Sequence, residues 1–341
     1  MRLRVHRTGA VLTPNLFAVA FGVAGLAGCW RLAGGLRLVP GTVADALFVL
    51  AGAVWLVLAV GYPRQVARRP GGWRAELRHP VLGPFLSLAP ITGLLVTAGL
   101  RPYAPRAAPW LFALFAVVTL LLGASLTGQW IVDRLEVDTF HPGYFLPTVA
   151  GGLLVAQGAA ELGHPGAARA AFGIGLVGWA LLGSPILARM FFRPALPAVL
   201  LPVLAIEAAP PAVAANAYLA VTGGRVNTLT WVLWGYTALM ALVQVRLVGL
   251  YRRAPFGPAW WSFTFPYAAV ATAGLHWLDS SRPAGYRAWG GLLLAAITVL
   301  VGAIAVWTVA GLARGGFLAT EAPPAPPTAP PHGGPPAGPP S

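Results

Sequence analysis

One acid stands deep inside an apolar run. Glu207 lies between Leu204-Ala205-Ile206 and Ala208-Ala209-Pro210-Pro211. A carboxylate in hydrocarbon is expensive, so a residue of this kind is a site of function by default. The two prolines beside it lack N–H groups and free backbone carbonyls nearby. Two roles fit: a proton site coupled to a moving anion, or a protonated, hydrogen-bonded structural acid. If the moving solute is an anion, a fixed negative charge in its path would repel it, which then favours protonation or a place beside that path. A second candidate is the run Trp260-Trp261-Ser262-Phe263-Thr264-Phe265-Pro266. A bulky ring beside a proline can plug a narrow channel as a hydrophobic constriction. Phe263 and Phe265 are the candidates, and aromatic packing is the plainer role for such a cluster. A third group is Asp133, Glu136, Asp138 and His141. Acids and an imidazole can hold a metal, but the spacing matches no ligand pattern and suits a solvated loop. His6, His79, His164, His276 and His332 are scattered, and Cys29 is the single cysteine. No Ser-His-Asp set, phosphate-cradling glycine loop or cysteine cluster is present. The residues imply no enzyme, no metal and no cofactor.

The elements that carry these residues are apolar throughout. Hydrophobic residues make up 57% of the 341 and charged residues only 9%, against about 25% charge in soluble domains. About 20 apolar residues span a bilayer. Spans are expected near 14–33, 43–62, 80–100, 107–129, 143–162, 167–190, 198–221, 227–251, 259–278 and 287–313. The chain is thus an all-α polytopic membrane protein of ten helices, arranged as five hairpins of similar length. The first span follows Arg2, Arg4 and Arg7 but lacks a cleavage site followed by a soluble domain, so it reads as a retained span. Residues 1–13 form a cytoplasmic N-terminus, 14–314 the membrane domain, and 315–341 a proline-rich tail whose composition suits disorder.

Prolines divide the spans into two sets. The odd spans carry Pro84, Pro90, Pro147, Pro210 and Pro266, while the even spans, Pro185 apart, are smooth apolar rods. Freed backbone groups are tolerated in a membrane where neighbours or a wet cavity satisfy them. The kinked odd spans are therefore expected to line a central pore, with the even spans facing lipid. Glycines such as Gly22, Gly25 and Gly28 mark faces for close helix packing. All 23 basic residues are arginine. With the N-terminus inside, fifteen arginines fall on the inner side and eight on the outer, which puts both termini in the cytoplasm. The positive charge is used for topology, and no nucleic-acid role follows from it.

Several motifs in order are similar to those of the tellurite-resistance/dicarboxylate transporter family, which includes bacterial TehA proteins and the plant slow-type guard-cell anion channels. Phe17, Gly22, Gly25 and Trp30-Arg31 resemble its first helix. Arg78-His79-Pro80-Val81-Leu82, Phe85, Ser87-Leu88 and Pro90 resemble its third. Pro142-Gly143 and Leu146-Pro147-Thr148-Val149-Ala150 resemble its fifth. Leu204-Ala205-Ile206, Ala209-Pro210 and Val221-Thr222-Gly223-Gly224 resemble its seventh. Trp261-Ser262-Phe263-Thr264-Phe265, Ala271-Thr272 and Gly274-Leu275-His276 resemble its ninth. The resemblance spans about residues 13 to 314. It implies a ten-helix fold with odd helices around a pore, a homotrimer, and a phenylalanine gate on the ninth helix. By motif the gate is Phe265, with Phe263 as the alternative. TehA-like sequences commonly carry Gln where Glu207 stands, so an acid here leaves room for proton coupling.

The expected function is passage of small anions across the plasma membrane: C4-dicarboxylates, tellurite-like oxyanions, chloride or nitrate. The alternatives are a proton-coupled sulfite or dicarboxylate carrier and, further off, a polytopic enzyme acting on lipid. Expected partners are the anions, the bilayer and two further copies of the chain.

Overall fold

A computed structural model describes residues 10–133 and 135–320. The arginine-rich start, Arg134 and the proline-rich tail from Glu321 lie outside the described residues. Ten long helical segments follow one another: Pro14–Gly35, Thr42–Ala67, Gly83–Leu100, Ala108–Val132, 142–161, Pro165–Phe192, Ala198–Val221, Thr228–Tyr251, 258–281 and Tyr286–Ala313. They are named first to tenth below. Eight are long and apolar enough to cross a membrane. The other two, the fifth and ninth, are assembled from unlike pieces. The fifth runs as a 3-10 turn Pro142–Phe145, a π turn Leu146–Ala150 and an α-helix Gly151–Glu161. The ninth runs as a 3-10 stretch Pro258–Phe263 and an α-helix Thr264–Ser281.

Every odd segment opens with a 3-10 turn, and the even segments do not. Proline explains this. Its fixed φ and missing N–H suit the first turn of a helix, and it bars the residue before it from the α region. Pro14, Pro84, Pro142 and Pro258 occupy that first turn in four of the five. The α-helical parts then begin afresh, with Pro90, Pro210 and Pro266 in their own first turns. Pro147 lies in the π turn. The prolines expected to kink continuous helices therefore mark changes of helix type, where the lost N–H bond costs least.

The two sets of segments differ sharply in burial. In their most apolar stretches the first, third and seventh segments are 72–78% buried, against 22–28% for the five even ones. The first packs on the third, the third on the fifth, the fifth on the seventh, the seventh on the ninth and the ninth on the first. Each even segment lies against two odd neighbours, the second on the first and third, and so on to the tenth on the ninth and first. The outward faces of the even segments carry large apolar side chains such as Leu56, Leu121, Leu181, Leu242 and Leu292.

Without a hydrophobic drive between helices in lipid, contact depends on close packing and buried hydrogen bonds. Gly22 shows how tight this is. A Cβ there would stand 1.8 Å from Thr264 Oγ1 on the ninth segment. Trp55 Nε1 donates to Ala89 O at 2.7 Å, tying the second segment to the third. Trp261 Nε1 donates to Thr308 Oγ1 at 2.9 Å, tying the ninth to the tenth.

Two features of the periphery differ from the sequence reading. Gly72–Arg78 is a separate short helix, whose Glu76 accepts from Tyr62 Oη at 2.6 Å and Arg69 Nη1 at 3.0 Å. Residues 315–320, expected in the tail, are held against the domain. Phe317 is buried against Phe256, and Ala319–Thr320 pairs antiparallel with Ala10–Val11.

Candidate functional site

The ninth segment builds the centre of the site. Thr264 Oγ1 donates to Trp261 O at 2.7 Å, closing the last 3-10 turn as the α-helix starts. Phe265 follows, and Pro266 after it has no N–H to give. The Phe265 ring stacks on Phe21 of the first segment, with centroids 3.7 Å apart and planes 20° from parallel. Gly25, one turn beyond Phe21, leaves the space this needs: a Cβ there would come 2.9 Å from the Phe265 ring.

Two cavities meet at this pair. The smaller, about 40 Å³, is lined from all five odd segments, including Phe21, Phe85, Phe145, Ile206 and Phe265. Pro210 and Pro266 also border it. Its wall is almost wholly apolar. The larger, about 390 Å³, lies toward the later ends of the same segments and includes Arg31, Arg101, Gln157, Asn216 and His276. Phe265 and Val213 belong to both walls. Phe265 therefore stands in the wall shared by a small apolar cavity and a larger one that has polar groups in its wall. Arg31 is anchored in the wall of the larger cavity. It donates to Ala98 O at 2.8 Å, lies 3.6 Å from Asp45 and sits over the Phe48 ring at 4.2 Å.

Phe263 points elsewhere. It packs edge-on against Tyr251, with centroids 4.8 Å apart, and beside Trp260 and Tyr267, and it borders neither cavity. Pro84, Pro90 and Pro147 also border neither. They lie where the helix type changes.

Glu207 sits in the 3-10 part of the seventh segment, beside Ile206 of the small cavity. Its own side chain borders neither cavity. Oε1 is enclosed and has no hydrogen-bond partner among the described residues. Tyr251 is near enough to feel its charge. Tyr251 and Tyr267 both donate to Gln244 Oε1, and Gln244 Nε2 donates to Leu204 O at 3.2 Å. A hydrogen-bonded cluster of Tyr251, Gln244 and Tyr267 thus lies near the acid, between the eighth and ninth segments.

The loop group around His141 separates. His141 is fully buried and stacks on Phe85. Its Nδ1 accepts from Gly143 N at 3.1 Å, so Nε2 carries the proton it donates to Val81 O at 3.0 Å. Burial, with Arg189 nearby, lowers its pKa from 6.5 to about 4, so the ring stays neutral. Asp138 instead pairs with Arg193 at 3.4 Å. Among the described residues no three metal-binding side chains converge.

Two residues of the site escaped the sequence reading. Phe21 stacks on Phe265 and is marked only by the glycines around it. Asn216 is the one polar residue in the run Ala212–Ala217, a signal as plain as that of Glu207.

The Haemophilus influenzae tellurite resistance protein TehA homolog is 27% identical over 307 residues, 90% of this chain and 92% of that protein. The Arabidopsis thaliana S-type anion channels SLAH1 and SLAH3 are 25% and 24% identical, over 67% and 80% of this chain and 60% and 43% of their own lengths. A family model described as SLAC1, voltage-dependent anion channel, matches residues 11–309. This multi-pass membrane chain, whose relatives are anion channels and transporters and not enzymes, belongs to the SLAC1 family.

Proposed function

We propose that small anions cross the plasma membrane through the axis enclosed by the five odd segments, and that the Phe265 ring closes this path. In this reading all ten segments cross the bilayer as five hairpins, with both termini cytoplasmic. The 3-10 openings of the odd segments then face the cytoplasm and the larger cavity faces outward. The observation that carries the reading is that Phe265 is a wall of both cavities, at the junction of all five odd segments. The apolar cavity makes an ion shed water; in the wall of the larger one Arg31 and Arg101 outnumber Glu161, with part of the Arg31 charge offset by Asp45 3.6 Å away. Chloride, nitrate, tellurite-like oxyanions and C4-dicarboxylates are the candidate cargoes. The relatives' names, tellurite resistance and S-type anion channel, support that class. The homotrimer rests on the family relation alone. Anion flux into liposomes, measured for the native protein and for Phe265→Ala, tests the reading. It fails if the assembled variant carries no more than the native protein.

A proton-coupled carrier is the second reading, favoured by the enclosed, unpartnered Oε1 of Glu207. Because Glu207 borders neither cavity, its proton would act beside the path, through the Tyr251–Gln244–Tyr267 cluster that joins the eighth segment to the ninth.

A further inference from the structure

Residues 64–78 hold five arginines against one acid, Glu76. The fold draws them into one corner at the end of the second segment. Gly71, at φ +79°, turns the chain, and the short helix Gly72–Arg78 folds back on that segment. Tyr62 Oη donates to Glu76 Oε2, and the Trp73 ring stands edge-on to Tyr62 with centroids 5.9 Å apart. Arg69 pairs with Glu76 at 3.0 Å. Arg64, Arg68, Arg74 and Arg78 are exposed, and among the described residues none of them pairs with an acid. Arg64 and Arg68 are one helical turn apart, as are Arg74 and Arg78, so each pair shares a face. Trp73, large and apolar, is 45% exposed beside them.

What covers this surface follows from what adjoins it. Leu56, Val57 and Val60 of the same segment are exposed apolar side chains, a surface suited to hydrocarbon. Arg64 comes one turn after Val60, about 6 Å along the helix axis. The charge therefore begins where the acyl-facing surface ends. Tryptophan favours that boundary, and guanidinium groups grip phosphate oxygens two at a time. We infer that this corner is a binding site for the headgroup of an anionic phospholipid. The four free arginines face its phosphate and net charge, and Trp73 lies against the upper part of its chains. The bonds of Glu76 to Tyr62 and Arg69 hold the short helix in place beforehand, so little ordering is lost on binding. A zwitterionic headgroup carries its own cation and offers the arginines no net charge. The site requires that the second segment cross a bilayer, and it is independent of the anion path and of the gate.

Native mass spectrometry of the full chain in detergent, titrated with phosphatidylglycerol or with phosphatidylcholine, gives a dissociation constant for each lipid. Phosphatidylglycerol should bind the more tightly. The double variant Arg74→Gln/Arg78→Gln should weaken it by about fivefold for each arginine replaced, with phosphatidylcholine unchanged. Arg64→Gln/Arg68→Gln serves where that variant does not assemble, and the same fall is expected. Arg225→Gln/Arg287→Gln removes as much exposed charge at the opposite ends of the segments and should leave the affinity as it was. An equal fall in this control would show attraction to net charge alone and overturn the site. Equal affinities of the native protein for the two lipids would also overturn it, and would turn the search to a soluble acidic partner. Loss of phosphatidylglycerol binding in millimolar inorganic phosphate would assign the corner to soluble phosphate instead, and would overturn the lipid site.

Discussion

Replacing Phe265 with alanine removes the ring from the wall that the two cavities share. The ring is 7% exposed and stacked on Phe21 at 3.7 Å. An aromatic pair of this kind is worth about 0.5–1.5 kcal/mol beyond burial. In a filled core Phe→Ala costs about 3–5 kcal/mol. Here the ring borders a void of about 40 Å³ on one side and about 390 Å³ on the other, so less packing is lost and the stability cost should sit below that range. The conductance effect should be larger. Freeing the ring from its stack alone lowers a barrier by about 0.5–1.5 kcal/mol, up to about tenfold in rate, and removing the block by size adds to it. Single-channel and macroscopic anion currents in planar bilayers are the assay, with thermal unfolding in detergent as the check on assembly. At least a tenfold rise is expected for Phe265→Ala and no rise for Phe263→Ala, whose ring packs on Tyr251. Equal currents in native protein and assembled Phe265→Ala would refute the aromatic gate. A rise in Phe263→Ala alone would show that the wrong ring had been assigned.

Three more outcomes follow from particular contacts. Gly22→Ala puts a Cβ 1.8 Å from Thr264 Oγ1. Thr264 must then give up its bond to Trp261 O, and overpacking of this kind costs about 1–3 kcal/mol, read as a lower melting temperature; an unchanged one would show that the first and ninth segments are not in register as described. Glu207→Gln keeps the shape of a residue outside both cavities, so conduction should persist while any pH dependence of it disappears. Surviving pH dependence would leave Glu207 a structural acid, and lost conduction in assembled protein would place it on the path. His141 has a pKa of about 4 when folded against an ordinary 6.5. Between these values the unfolded chain binds a proton that the folded one does not, so stability falls as pH drops from 6.5 to 4, by about 3 kcal/mol in all. Above 6.5 the residue contributes no slope. His141→Asn, which can still accept from Gly143 N, should flatten the melting temperature over that window; an equally steep profile would assign the acid sensitivity elsewhere.

Proline spacing made the division into odd and even segments legible, because a residue without an N–H leaves its mark on any helix. The form it takes was not legible. Whether Pro90 or Pro266 bends a helix or starts one depends on the tertiary contacts that stabilise the 3-10 turn before it. The candidates Phe263 and Phe265 are two residues apart, on different faces of one helix, and the sequence alone cannot say which face meets Phe21. Family resemblance chose Phe265, and the geometry places that ring between the cavities. Glu207 was visible as an intramembrane acid, but its direction, away from Ile206 and the axis, is a property of the 3-10 register. His141 looked like one of a group with Asp133, Glu136 and Asp138. Both of its nitrogens are instead engaged by backbone, one of them 60 residues away at Val81, which local spacing could not reveal.

The central claim is that anions move along the axis between the odd segments. Cysteine accessibility tests it most directly, in the Phe265→Ala background with Cys29→Ala. Val213→Cys places a thiol on the wall common to both cavities, and Leu239→Cys places one on the exposed face of the eighth segment. A negatively charged thiol reagent should block the current through Val213→Cys and leave that through Leu239→Cys intact. Full current through Val213→Cys after proven modification would contradict the axial path.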